Sequence, residues 1–229
     1  MFLHGYFPAI LEGLRSTLLI SATSLSIACL FGLIGAGAKL SGSRVAGLAA
    51  DVYTTLIRGL PELVLLLLIF YGGQIMVNAL ADRAGLGYFD INPFLAGTLT
   101  LGFIFGAYLT ETFRGAILAI PRGQMEAGKA YGMTRGQVLR RIILPQMVRH
   151  AIPGFTNNWL VMIKATALLS IIGLDDMVHR ANLASAATRA PFTFYATIAG
   201  LYLAVTTISI LLLGWLERRF SLGVRKVEF

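Results

Sequence analysis

Four stretches of this chain run for about the thickness of a membrane without one Asp, Glu, Lys or Arg: Ser16–Ala38, Leu63–Ala81, Ile91–Thr110 and Ala190–Leu216. A fifth, Ala151–Leu174, is interrupted only by Lys164. About 20 apolar residues in a helix cross a bilayer's hydrocarbon core. Five such stretches occupy most of the 229 residues. They predict one all-α integral membrane domain and no separate soluble module. Its spans are expected at about 13–38, 54–80, 92–118, 151–174 and 193–216. Charge content agrees: only 13% of residues are charged and the mean hydropathy is +0.75, whereas soluble domains carry about a quarter charged residues.

The chain opens on Met1–Pro8 without a basic segment, and its first apolar run is too long for a cleaved leader, so that run is read as a span. The single cysteine, Cys29, lies within it. It excludes an internal disulfide and a cysteine-based metal cluster.

The net charge of +8 reads as a topology signal. One set of alternating loops, residues 39–53, 119–150 and 217–229, carries Lys39, Arg44, Arg122, Lys129, Arg135, Arg140, Arg141, Arg149, Arg218, Arg219, Arg225 and Lys226. The other set, residues 1–12, 79–93 and 175–193, carries Arg83, Arg180 and Arg189. Cytoplasmic loops concentrate Lys and Arg. Twelve cations against three therefore predict a periplasmic N-terminus and a cytoplasmic C-terminus, and the excess is not a nucleic-acid patch.

Several local features stand out. Small residues in the first span (Ser21, Ala22, Ser24, Gly32, Gly35, Ala36) favour close helix packing in lipid. Arg58-Gly59-Leu60-Pro61-Glu62 precedes the apolar run of the second span. Proline removes a backbone donor, and a broken helix is tolerated in a membrane where it lines a cavity or is buried in protein. Residues 79–93 and 175–193 read as external loops, and Trp215 followed by Glu217-Arg218-Arg219 as an interfacial anchor.

The segment 120–149 is the most informative. After Pro121, Gln124–Tyr131 can form two helical turns that Gly132 ends. Thr134 and Gln137 then have capping-box spacing. A second short helix reaches Ile143, with Val138, Ile142 and Ile143 on one side, and is expected to stop at Pro145. Two short helices joined at a glycine make a knob suited to docking a soluble partner.

Glu126-Ala127-Gly128, then Gly132, then Ile142-Ile143-Leu144-Pro145 resembles the EAA loop of ABC importer permeases. Gly128 departs from the family's second alanine, at a cost of at most about 1 kcal/mol of helix propensity. Ile57–Pro61, Gly106–Gly115 and Lys164–Ser170 with Gly173 resemble further signatures of polar amino-acid permeases. The resemblance covers essentially the whole chain. It looks strongest to the Q-type subunits of the histidine and lysine/arginine/ornithine permeases. It implies the five-helix fold of a type I ABC importer permease in the bacterial inner membrane, importing basic or polar amino acids. The partners it implies are a second, M-type permease, two cytoplasmic ATPase subunits that use ATP and Mg, and a periplasmic amino-acid-binding protein. It also implies that Glu126, Ala127, Gly128, Gly132, Arg135, Leu144 and Pro145 form the ATPase-coupling site.

For the substrate path, ionisable residues within spans are the default candidates, because charge in lipid is costly. They are Glu62, Glu111 and Lys164, with hydroxyls at Tyr108, Thr110, Thr166 and Ser170. A carboxylate facing a cavity suits a cationic amino-acid side chain. Structural readings stand beside this one. Glu111 and Arg114 are three apart and Glu62 and Arg58 four apart, so each has the spacing of a helix ion pair; Lys164 can snorkel or pair with a glutamate; Thr166 and Ser170 can bond their own backbone. His4, His150 and His179 show no metal-ligand spacing. There is no GxxxxGK phosphate loop, so the chain is not expected to be an enzyme or to bind ATP itself. A secondary transporter commonly carries inverted repeats, and none is visible. A membrane enzyme needs a nucleophile–base or metal constellation, and the sequence offers none.

Overall fold

The computed structural model describes residues 2–220; Arg225 and Lys226, two of the cations counted above, lie outside them. Among the described residues every regular element is helical. In chain order these are α1 (Phe7–Leu40), α2 (Arg44–Gly59), α3 (Glu62–Arg83), α4 (Pro93–Leu118), α5 (Arg122–Ala130), α6 (Arg135–Val138), α7 (Leu144–Ala165), α8 (Met177–Thr188) and α9 (Pro191–Phe220). A π-helical turn, Leu139–Ile143, joins α6 to α7, and a 3-10 segment, Thr166–Ile172, follows α7. Five stretches are long and apolar enough to cross a membrane: α1, α3, α4, the continuous run Arg135–Ile172, and α9.

α4 is the central helix. It packs along α1 and against α7, α2 and α3. Of its most apolar stretch 61% is buried, against 11% for α3 and α9, so those two present most of their apolar surface outward. The α1–α4 seam is close because glycines sit in it. A Cβ at Gly32 would lie 2.7 Å from Leu109 Cβ, and one at Gly106 would lie 2.6 Å from Phe31 Cβ. Without an aqueous hydrophobic drive between helices, such close packing and interhelical hydrogen bonds hold a bundle together. Ser24 Oγ donates to Thr98 O (3.2 Å), Tyr53 Oη to Phe103 O (2.5 Å) and Asn158 Nδ2 to Thr112 Oγ1 (2.9 Å).

The elements differ from the sequence reading in three places, and at the second span they follow it: the span is broken at Pro61, where the chain leaves α2 at Leu60, which is extended, and restarts at Glu62. Proline's missing N–H is harmless only at a helix start, so the break falls where Pro61 puts it. Residues 175–193 are not simply a loop. Asp176 caps α8 by accepting the His179 N–H at 2.7 Å, and the small residues Ala181, Ala184 and Ser185 bury α8 against α1 and α9. Pro145 does not stop a helix either. The widened turn before it, with Leu144 N–H bonding Leu139 O, relieves the clash of proline with the preceding turn, and the helix runs on. Finally, α1 begins six residues earlier than expected, at Phe7. Its Glu12 is held by Arg180 of α8, which also grips Asp175 through two nitrogens, at 2.8 and 2.7 Å.

Candidate functional site

The hairpin over 122–143 is built by caps and one contact. α5 ends in a Schellman motif: Gly132 is left-handed (φ +78°), its N–H bonds Lys129 O at 2.9 Å, and the Met133 N–H bonds Gly128 O at 3.1 Å. Only glycine adopts this conformation without steric cost. α6 starts on the full capping box: Gln137 N–H donates to Thr134 Oγ1 (3.3 Å) and Thr134 N–H to Gln137 Oε1 (2.8 Å). The two arms meet at Gly128, where a Cβ would lie 2.6 Å from Ile142 Cδ1 and 3.4 Å from Val138 Cγ2. Gln146 Nε2 donates to Gln124 Oε1 (2.6 Å) and fastens α5 to the start of α7.

This packing sorts the residues expected to couple to an ATPase. Gly128 is buried inside the hairpin, whereas Glu126, Ala127, Gly132, Arg135, Leu144 and Pro145 are exposed. Tyr131, at the tip, is 88% exposed, and the sequence reading had not singled it out. Arg140 and Arg141 line a polar groove with Thr134, Gly136 and Gln137.

The polar residues of the spans divide into three groups. The first gathers at the α2–α3 break. The Arg58 guanidinium lies 5.6 Å from the centre of the Tyr108 ring, so Arg58 stacks there instead of pairing with Glu62. Glu62 is half-buried at the first position of α3 and makes no ion pair among the described residues. Glu111 lies one turn beyond Tyr108 on α4.

The second group neutralises Glu111. Lys39, at the last turn of α1, places Nζ 2.5 Å from Glu111 Oε1, 2.7 Å from Asp51 Oδ1 and 2.7 Å from Thr54 Oγ1. Arg114 approaches the other Glu111 oxygen at 3.4 Å. The hydrogen bond from the ammonium holds the exposed Asp51 carboxyl below its ordinary range. Lys39 was counted above only as a loop cation. Nothing in its spacing points to a partner 72 residues away.

The third group is packing. Thr110 is fully buried under Gly35 and donates to Gly106 O (2.8 Å); Thr166 donates to Ile163 O (2.7 Å) and Ser170 to Ala167 O (2.8 Å). These three hydroxyls serve their own helices. Lys164 stands apart from both glutamates, with no ion pair among the described residues. It lines a groove of about 460 Å³ with Ala167, Ala199, Tyr202, Leu203 and Thr206. No group of His, Cys, Asp and Glu among the described residues is arranged to hold a metal ion.

Residues 28–222 match the family described as binding-protein-dependent transport system inner membrane component. The chain belongs to this family. The permease is 51% identical, over 99% of both chains, to the histidine/lysine/arginine/ornithine transport system permease protein HisQ of Escherichia coli. It is 38% identical to the octopine transport system permease protein OccQ of Rhizobium radiobacter, over 97% of this chain and 94% of the other. It is 41% identical to the arginine ABC transporter permease protein ArtQ of Haemophilus influenzae, over 93% of both. A solved structure described as an amino acid ABC transporter with histidines superimposes with a TM-score of 0.81 at 34% identity, covering 96% of this chain and 98% of that one. The MetNI methionine ABC transporter superimposes with a TM-score of 0.74 at 17% identity, a likeness of fold.

Membership settles the class. The chain is a Q-type permease subunit of an ABC importer with the type I fold, an inner-membrane protein and not a catalytic subunit. ATP hydrolysis belongs to a separate ATPase subunit, and transport depends on a substrate-binding partner.

Proposed function

We propose that this permease imports basic amino acids (arginine, lysine, ornithine, histidine) or compounds built on them. In this reading it pairs with an M-type permease and docks one of two ATP- and Mg-using ATPases through the 122–143 hairpin, with the N-terminus periplasmic and the C-terminus cytoplasmic. The observation that carries it is the patch at the α2–α3 break. Glu62 is a half-buried carboxylate with no ion pair among the described residues, at the proline break that also brings Arg58 onto Tyr108, with Glu111 one turn beyond Tyr108. An unpaired carboxylate at membrane depth is costly unless it meets water or a cation, and a cationic side chain supplies that partner. Support for the substrate class comes from the relatives named for histidine, lysine, arginine, ornithine and octopine. Glu126, Ala127, Gly132, Arg135 and the neighbouring Tyr131 present the docking face, and Gly128, Leu144 and Pro145 shape it. Thr110, Thr166 and Ser170 act through packing, and Lys164 lines the separate groove beside α9.

The test is co-purification followed by transport. A tagged chain drawn from mild detergent is expected to bring a second permease and an ATPase with it. The assembled complex with its binding protein, reconstituted in vesicles, is expected to import arginine under ATP, with Glu62→Gln losing more arginine uptake than glutamine uptake. Recovery of the chain alone would remove the docking role. Equal losses for arginine and glutamine would remove Glu62 from cation recognition.

A further inference from the structure

Lys39 is surrounded as a bound ligand would be. Its ammonium has three N–H donors, and three oxygens from two other helices receive them: Glu111 Oε1 of α4, Asp51 Oδ1 and Thr54 Oγ1 of α2. Its side chain is 8% exposed, that of Glu111 25% and that of Asp51 65%. One cation thus bridges a carboxylate facing the interior and a carboxylate facing water. With Arg114 included, the cluster holds two cations and two carboxylates, so its formal charge is zero and it exerts no net attraction on an incoming cation.

We infer that Lys39 is a displaceable internal counter-ion: it occupies Glu111 in the empty permease, and a cationic substrate takes its place while Lys39 withdraws onto Asp51. The inference rests on the reading above that Glu111 borders the substrate path. Removing one member of a partly buried ion pair leaves an uncompensated charge, at a large cost. Lys39 therefore leaves Glu111 only when another cationic group reaches it, which the uncharged side chain of a neutral amino acid cannot provide. Its withdrawal is made easy by Asp51, already 2.7 Å away and exposed, and by the flexible four-carbon lysine stem. Arg114 does not substitute for the substrate, since it meets the second Glu111 oxygen at 3.4 Å with 42% of its side chain exposed. Selection among substrates then comes from an exchange of like for like instead of an excess of negative charge. Lys39 is a specificity-determining residue that need not touch the substrate.

The test is equilibrium binding of arginine and of glutamine, its neutral counterpart in size, to the assembled permease–ATPase complex in lipid nanodiscs without the binding protein. Lys39→Met removes the competitor and is expected to tighten arginine binding about tenfold, leaving glutamine unchanged, with the gain abolished in the double variant Lys39→Met/Glu111→Gln. Asp51→Asn acts in the opposite sense: Lys39 loses its retreat, and arginine binding weakens. Asp51 is exposed, so this variant remains informative if Lys39→Met fails to assemble. Arginine affinity unchanged in Asp51→Asn, or shifted equally with glutamine in Lys39→Met, overturns the inference. A wild-type complex that binds no arginine overturns the substrate reading itself, which is a separate result.

Discussion

The residue with the most unusual surroundings outside the spans is Asp176. It is fully buried; one carboxylate oxygen caps α8, and the other has no hydrogen-bond partner among the described residues. Burial pushes its carboxyl up to about 6. A carboxyl whose folded value lies above its unfolded one binds a proton more tightly in the folded protein. Its contribution to stability is therefore present below about pH 4 and lost as pH rises through about 6. Asp176→Asn keeps the capping acceptor without the charge. It is expected to melt at a higher temperature than wild type at pH 8, by an amount worth roughly 3 kcal/mol, and at the same temperature near pH 4. Parallel pH profiles for the two proteins in detergent would show that Asp176 is not the titrating group.

Two glycines make opposite predictions at the same scale. A Cβ at Gly13 would lie 2.7 Å from Met177 Cα and 2.9 Å from Asp176 O, which are backbone atoms that cannot turn aside. A Cβ at Gly128 meets the tip of the Ile142 side chain. Gly13→Ala is expected to cost about 1–3 kcal/mol, as overpacking does. Gly128→Ala is expected to be close to neutral, because Ile142 can change rotamer. Thermal melting of both in one detergent decides it, and equal losses would contradict the argument.

Among elements, the legible ones were those whose signal is local. The apolar runs, the Pro61 break, the Gly132 turn and the Thr134–Gln137 box each follow from a few adjacent residues. What the sequence could not display was pairing at a distance: Lys39 with Glu111, the seam of Gly32 on Leu109, or the burial of α8. Residues 177–188 read as a loop because polar residues and short side chains carry no helical apolar stripe, yet small residues are what close packing on α1 requires. Thr110 looked like a path residue for the converse reason, since no local signal says whether a span hydroxyl faces a cavity or a neighbouring helix.

The hairpin invites a test at this scale. Gly132→Val forces a β-branched residue into a left-handed turn, and Thr134→Ala removes half of the capping box. The first is expected to cost about 1–2 kcal/mol locally and the second about 1 kcal/mol. Because α5 and α6 stand apart from the bundle core, both variants are expected to insert at wild-type levels. In the reconstituted complex Gly132→Val should lose most ATP-driven uptake and Thr134→Ala a smaller part. Full uptake by Gly132→Val would mean that hairpin geometry does not govern coupling.

At the scale of the molecule, the hairpin and the cations belong to one argument. α1, α4, the 144–172 run and α9 place the 122–143 hairpin and the loop after Leu40 at one end of the bundle, and residues 84–92 and α8 at the other. Arg44, Arg122, Lys129, Arg135, Arg140, Arg141 and Arg149 gather at the first end; Arg83, Arg180 and Arg189 lie at the second, where Arg180 is held by Glu12 and Asp175. Basic loops concentrate in the cytoplasm, so the charge pattern and the proposed docking of a cytoplasmic ATPase call for the same orientation. In a Cys29→Ser background, a cysteine placed at Arg140 is expected to react with a membrane-impermeant maleimide only in inside-out vesicles, and one at Gly87 only in right-side-out vesicles. The reverse pattern would turn the hairpin away from the compartment that holds ATP and would refute the orientation and the coupling role together.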